Sequence, residues 1–121
     1  MKYTKEQLQA MSDRKIDCAL CEIVHDAEIV ANLFNEGNHF AARTKSGVDF
    51  WVPEYCNTPN DIMPLAFEHH LTVHYVDNGY EHKWFATKPY SPEHFHHTNP
   101  LRAIACCLIL VLSSDENQSG K

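Results

Sequence analysis

Apolar residues recur at Ile16, Ala19, Leu20, Ile23 and Val24. That i, i+3, i+4, i+7, i+8 stripe predicts an amphipathic helix. Ser12 stands where its side chain can cap the amides opened at Asp13. Asp13, Asp17 and Glu22 are left to face water. Thr4-Lys5-Glu6-Gln7 has capping-box form, which predicts a shorter helix just before. From residue 28 the pattern changes to short apolar or alternating runs at 28–34, 39–44 and 48–52. Asn35-Glu36-Gly37-Asn38 and Lys45-Ser46-Gly47 punctuate them as turns between strands would. Pro53 can end the third strand, because it removes a donor from the ladder. With two prolines, residues 57–64 are expected to form a loop or a single helical turn.

The runs at 71–76 and 81–87 flank Asp77-Asn78-Gly79-Tyr80. Asn-Gly accepts the positive φ of a tight hairpin turn, and both arms carry β-branched or aromatic side chains. Leu71, Val73 and Tyr75 share a face, while Trp84 and Phe85 compete for the inner side, so the register stays open. Residues 88–98 read as a loop rich in proline and histidine. Asn99 then caps a helix with Pro100 at its first position, where the missing amide hydrogen costs nothing. Residues 103–112 are apolar nearly all round, so this helix must be covered on more than one side. Leu108 lies at its middle, and part of it is a candidate homodimer interface. Residues 113–121 form a polar tail expected to fray. The fold class that follows is α+β: one domain spanning 1–121, with a mostly antiparallel sheet of four or five strands. The N-terminal amphipathic helix and the apolar C-terminal helix pack it.

Length and composition narrow the function. The chain has 121 residues, enough for one core, and an ordinary apolar fraction of 44%. Its net charge of -6 and its dispersed Lys and Arg disfavour a passive grip on nucleic acid, where phosphate neutralisation supplies most of the affinity. The charge suits a protein that meets a basic surface. The apolar run at 103–112 spans roughly 15 Å at about 1.5 Å per residue, half a bilayer core, so no membrane anchor is expected. Lys2 and Lys5 are not followed by the apolar core of a signal peptide. Five cysteines, two of them adjacent at Cys106 and Cys107, read as reduced thiols of a cytoplasm.

Two motifs carry a resemblance. Tyr55-Cys56-Asn57-Thr58-Pro59-Asn60-Asp61-Ile62-Met63-Pro64 precedes the tryptophan-containing hairpin, and Asn99-Pro100-Leu101-Arg102-Ala103 opens the apolar helix. Together with the Met11-Ser12-Asp13 helix start, they resemble the NinX-like family of small phage and prophage proteins. The likeness is best over residues 55–112, and the chain departs from it at Ile62-Met63 and in the histidine-rich segment. The resemblance implies a phage or prophage origin and the cytoplasm of a bacterial host. It transfers no catalytic residue.

Candidate chemistry is sparse. Nine histidines include His94, His96 and His97, and two imidazoles two apart on an extended strand can face one metal ion. There is no His-Glu-x-x-His helix, and solvated loop histidines are the plainer reading. Cys18-Ala19-Leu20-Cys21 lies inside a helix, without the second pair of a zinc knuckle or the strand-to-helix turn of a thioredoxin-type site. His25 and its acidic neighbours lack the following Pro-Cys-x-x-Cys of a zinc deaminase. No Gly-x-Ser-x-Gly and no phosphate-cradling glycine loop is present. Glu54 and Asp61 are carboxylates of the kind any acidic chain offers. Arg102 sits in the first turn of its helix, where the dipole disfavours a cation. A partner among the acids of residues 57–61 would tie the two motifs together, which makes Asn57, Asp61 and Arg102 the candidate binding residues. Trp51, Trp84, Phe85 and Tyr90 are expected in the core, with a binding face as the alternative. The sequence therefore reads as a non-enzymatic accessory protein, without cofactor, that binds a host or phage protein. The alternative is a small metal-dependent enzyme using His94, His96 and His97.

Overall fold

A computed structural model describes residues 3–32 and 40–119. Phe34, the Asn35-Glu36-Gly37-Asn38 turn and His39 lie outside the described residues. Helix α1 is Lys5–Ala10, and Thr4 closes its capping box with Gln7. Helix α2 is Asp13–His25; the Ser12 side chain accepts from the Lys15 amide, and Asp26 ends the helix in the left-handed conformation. The chain passes directly into β1 (Ala27–Asn32), then β2 (Phe40–Thr44) and β3 (Asp49–Trp51). These form one antiparallel sheet in the order β1-β2-β3.

Helix α3 follows as Pro59–Glu68, ten residues long. This corrects the expected loop or single turn. Pro59 stands in the first turn, where it favours a helix. Pro64 forfeits one bond, and burial of Ile62 and Ala66, one turn apart, offsets that loss. Strands β4 (Thr72–Asp77), β5 (His82–Thr87) and β6 (His94–His97) form a second antiparallel sheet in the order β4-β5-β6. The hairpin matches its expected position, with Gly79 at φ 86°. The third strand corrects the expected loop at 88–98. Phe95 is buried, which gives the histidine segment the alternation of a strand. Helix α4 is Pro100–Ser119, so residues 113–119 of the segment expected to fray continue the helix, and 120–121 lie outside the described residues.

Among the described residues, six strands in two sheets replace the expected single sheet of four or five. The reason is the all-round apolar character of α4. It packs against α2 on one side and against β5 and β6 on the other, with α3 and α1 closing its flanks. The first sheet packs on the far side of α2. The order through the molecule is therefore first sheet, α2, α4, second sheet. A single sheet would have left one side of α4 in water. Every residue from Ala103 to Val111 is buried within the chain itself. Among the described residues, no helix is long and apolar enough to cross a membrane.

Candidate functional site

The two sequence motifs meet, through different atoms from those expected. Arg102 is buried, and its hydrogen bonds go elsewhere than to residues 57–61. Its guanidinium donates to Asp13 Oδ1 at 2.7 Å and to the carbonyls of Leu8 (2.9 Å), Gln9 (3.4 Å) and Met11. The last turn of α1 and Met11 just after it wrap their carbonyls around the side chain, which supplies the partners that the helix dipole lacks. Asn99 joins the motifs instead. Its Nδ2 donates to the Cys56 carbonyl at 3.0 Å, while its Oδ1 accepts from the Leu101 amide at 3.0 Å as the cap of α4. Asp61 Oδ2 accepts from the Glu54 amide at 3.2 Å, and the Asn57 amide donates to the Glu54 carbonyl at 3.0 Å. Asn57 and Asp61 therefore both bond to the backbone of Glu54, whereas Arg102 bonds to Asp13 and to the carbonyls of Leu8, Gln9 and Met11.

Asp17 was expected to face water and is fully buried. It accepts from Arg14 at 2.8 Å and from the Cys56 amide at 2.9 Å. Arg14 in turn donates to the carbonyls of Val52 (3.3 Å) and Pro53 (3.2 Å) and lies over the Phe40 ring. Burial raises the Asp17 carboxyl above its ordinary range, against the opposing bonds from Cys56 and Arg14. The carboxylate fastens the 55–57 turn to α2. The i, i+3 spacing of Arg14 and Asp17 is the signal that could have found the pair.

All five cysteines are free and buried. Burial pushes the Cys18 thiol up to about 11 and those of Cys21, Cys106 and Cys107 up to about 12. Cys56 is raised further by burial and by Asp17. Burial thus disfavours the thiolate, the nucleophilic form, at all five. Native protein is expected to react with a thiol reagent at none of the five, and at all five once denatured; fast labelling of any cysteine in the native state would contradict this packing.

The histidines of β6 separate by face. His94 and His96 lie on the side away from α4, whereas Phe95 and His97 lie on the α4 side. Lys5 Nζ stands 3.0 Å from His94 Nε2. Among the described residues, no group of three His, Cys, Asp or Glu side chains is placed to hold a metal ion. His94 and His96 thus share one face of the strand, and His97 lies on the other.

His97 has a structural task. The Asn99 amide donates to its Nδ1 at 3.0 Å, so that nitrogen carries no proton. Burial and then the Arg102 guanidinium hold His97 below the usual imidazole range. The unfolded chain takes up a proton near the ordinary value of about 6.5, and the folded chain does not. Stability must therefore fall as pH drops below about 6.5, until the folded-state value is passed. Asparagine keeps an acceptor for the Asn99 amide without titrating. Urea titrations at a series of pH values are expected to show a flatter decline for His97→Asn than for the wild type. His96, also lowered by burial and by Lys83, should leave part of the slope in place.

The aromatic residues overturn the expectation of a core role. Trp51 and Tyr90 are exposed, and Trp84 and Phe85 are only half-buried. Ala86 is the residue of β5 that packs inward at full burial. Trp84 shares its face and meets Tyr75 with ring centroids 5.1 Å apart. Phe85 points to the opposite face. There it stacks between His74 of β4 (5.5 Å) and His96 of β6 (5.1 Å), its direct neighbours in the ladder. A row of three rings thus crosses the whole second sheet on the side that α4 does not cover. No sequence pattern announced it, because its members come from three strands whose register only the fold fixes. Searches against family models, curated proteins and solved structures found no match for this chain.

Proposed function

We propose that this is a non-enzymatic accessory protein of phage or prophage origin that binds a host or phage protein through the outer face of the second sheet. The observation that carries the reading is the His74–Phe85–His96 row. Aromatic and imidazole rings held flat across three strands lose little side-chain freedom when a partner covers them. A chain of this size with only ordinary apolar content gains nothing for its own core from rings on that side. The buried thiols and the separated histidines leave the described residues without an assembled reaction centre. The NinX-like resemblance in residues 55–64 and 99–103 supports the phage setting, and the net charge of -6 favours a partner with a basic surface.

The test is a pull-down from infected and uninfected bacterial lysate, read by mass spectrometry. Wild type is compared with Phe85→Ser and with Trp51→Ser, each checked for folding by circular dichroism. One stoichiometric partner, lost with Phe85→Ser and kept with Trp51→Ser, is the expected result. Equal capture by folded Phe85→Ser protein would place the binding surface elsewhere.

A further inference from the structure

A sheet edge exposes a row of unpaired amides and carbonyls that another strand can extend. Natural proteins close such edges with lysine, proline, a bulge, a very short strand or a covering element. Three of the four edges among the described residues are closed in these ways. Strand β3 has three residues. Strand β1 carries a register shift between Ile29 and Ala31. Strand β6 is flanked by α1, where Gln9 Nε2 donates to the His96 carbonyl at 3.4 Å and Lys5 reaches His94. Strand β4 has none of these devices. Its six residues, Thr72-Val73-His74-Tyr75-Val76-Asp77, pair with β5 without a shift and include no lysine, proline or glycine.

We infer that β4 pairs with β4 of a second copy of this chain, antiparallel about a twofold axis, so that two three-stranded sheets become one of six strands. The two strands would run side by side for about 20 Å. An axis perpendicular to the sheet keeps each face on its own side, so only residues of the same facing can meet. Centred on Tyr75, the pairing sets Tyr75 against its copy, His74 against Val76, and Val73 against Asp77. No like charges come together; Asp77 is already engaged by His82 at 3.3 Å. Tyr75, 47% exposed beside the Trp84 ring, would be covered by its symmetry mate. The assembly then stops by itself, because both outer edges of the joined sheet are β6 strands flanked by α1. A second copy is the occupant that satisfies the edge and closes the structure at once. Such a dimer would also present two His74–Phe85–His96 rows on one surface; that consequence, unlike the dimer itself, rests on the proposed function.

Light scattering and analytical sedimentation of the full chain should give twice the 13.9 kDa of the protomer at high micromolar concentration. Tyr75→Lys and His74→Lys, which place a lysine on either face of the edge, should each weaken association at least about tenfold with unchanged far-ultraviolet dichroism. A protomer mass for the wild type at the highest concentration would overturn the inference, as would a dimer that survives both lysine variants. Amide exchange of the wild type gives an independent reading. Slow exchange at consecutive β4 amides requires both edges to be paired, whereas slow exchange at alternate amides only means that β4 pairs with β5 alone and refutes the dimer.

Discussion

Leu108→Asp is expected to abolish folding. Leu108 is fully buried at the middle of α4, between α2 and the second sheet. Every residue from Ala103 to Val111 around it is also buried. A carboxylate placed there has no cation in reach on its own turn, because Arg102 is already committed to Asp13 and three carbonyls. An uncompensated buried charge costs several kcal/mol even after relaxation, and often more. The whole stability of a domain is only about 5–15 kcal/mol. Leu108→Ala separates the cavity from the charge, since it should cost about 2–5 kcal/mol and leave a folded protein. Dichroism and denaturant titration of both variants check the pair of outcomes. Soluble, cooperatively unfolding Leu108→Asp protein would contradict the central position of α4.

The second large effect is expected at Arg102. Its guanidinium is the knot between α4, the end of α1 and the start of α2. Arg102→Ala would remove the guanidinium from the Gln9 and Met11 carbonyls and the Asp13 carboxylate, while the Leu8 carbonyl would keep the Met11 amide. Removing one partner of a buried ion pair costs about 3–5 kcal/mol, and the half-exposed position of Asp13 puts this case near the lower figure. Arg102→Lys should recover little, because a point charge cannot spread its donors over a curved row of carbonyls. Asp13→Asn should cost clearly less than Arg102→Ala, since it removes the charge but keeps an amide oxygen that can accept, and leaves the backbone carbonyls in place. Chemical denaturation of the three variants gives the order. If Asp13→Asn were the costlier change, the ion pair rather than the carbonyl cradle would be the main tie.

What could be read in the sequence was what depends on near neighbours. Thr4 with Gln7, Ser12 with Lys15 and Asn99 with Leu101 are caps whose partners lie within three positions, so residue type and spacing were enough. The hairpin was legible for the same reason. Helix α3 was missed because two prolines outweigh a short apolar stripe when no tertiary contact can be weighed against them. Strand β6 was missed because histidine and proline read as a loop until Phe95 is seen to be buried. Asp17 and the aromatics were misplaced in opposite directions. A carboxylate goes inside when Arg14 and the Cys56 amide meet it there, and a tryptophan stays outside when small alanines have filled the inward positions.

By itself the sequence determined an α+β chain with a capped amphipathic helix, one tight hairpin, and a C-terminal helix too apolar to have a wet side. Those features are local propensities and periodicities, and they survive any arrangement of the elements. Only the tertiary structure decided that α4 divides the strands into two sheets, that Arg102 belongs to Asp13 and the carbonyls behind it, and that His74, Phe85 and His96 form a single row. Each of those outcomes depends on residues far apart in the chain becoming neighbours. The free energy that selects them is the burial of α4 on all sides, a property of the packed molecule that no short stretch of sequence contains.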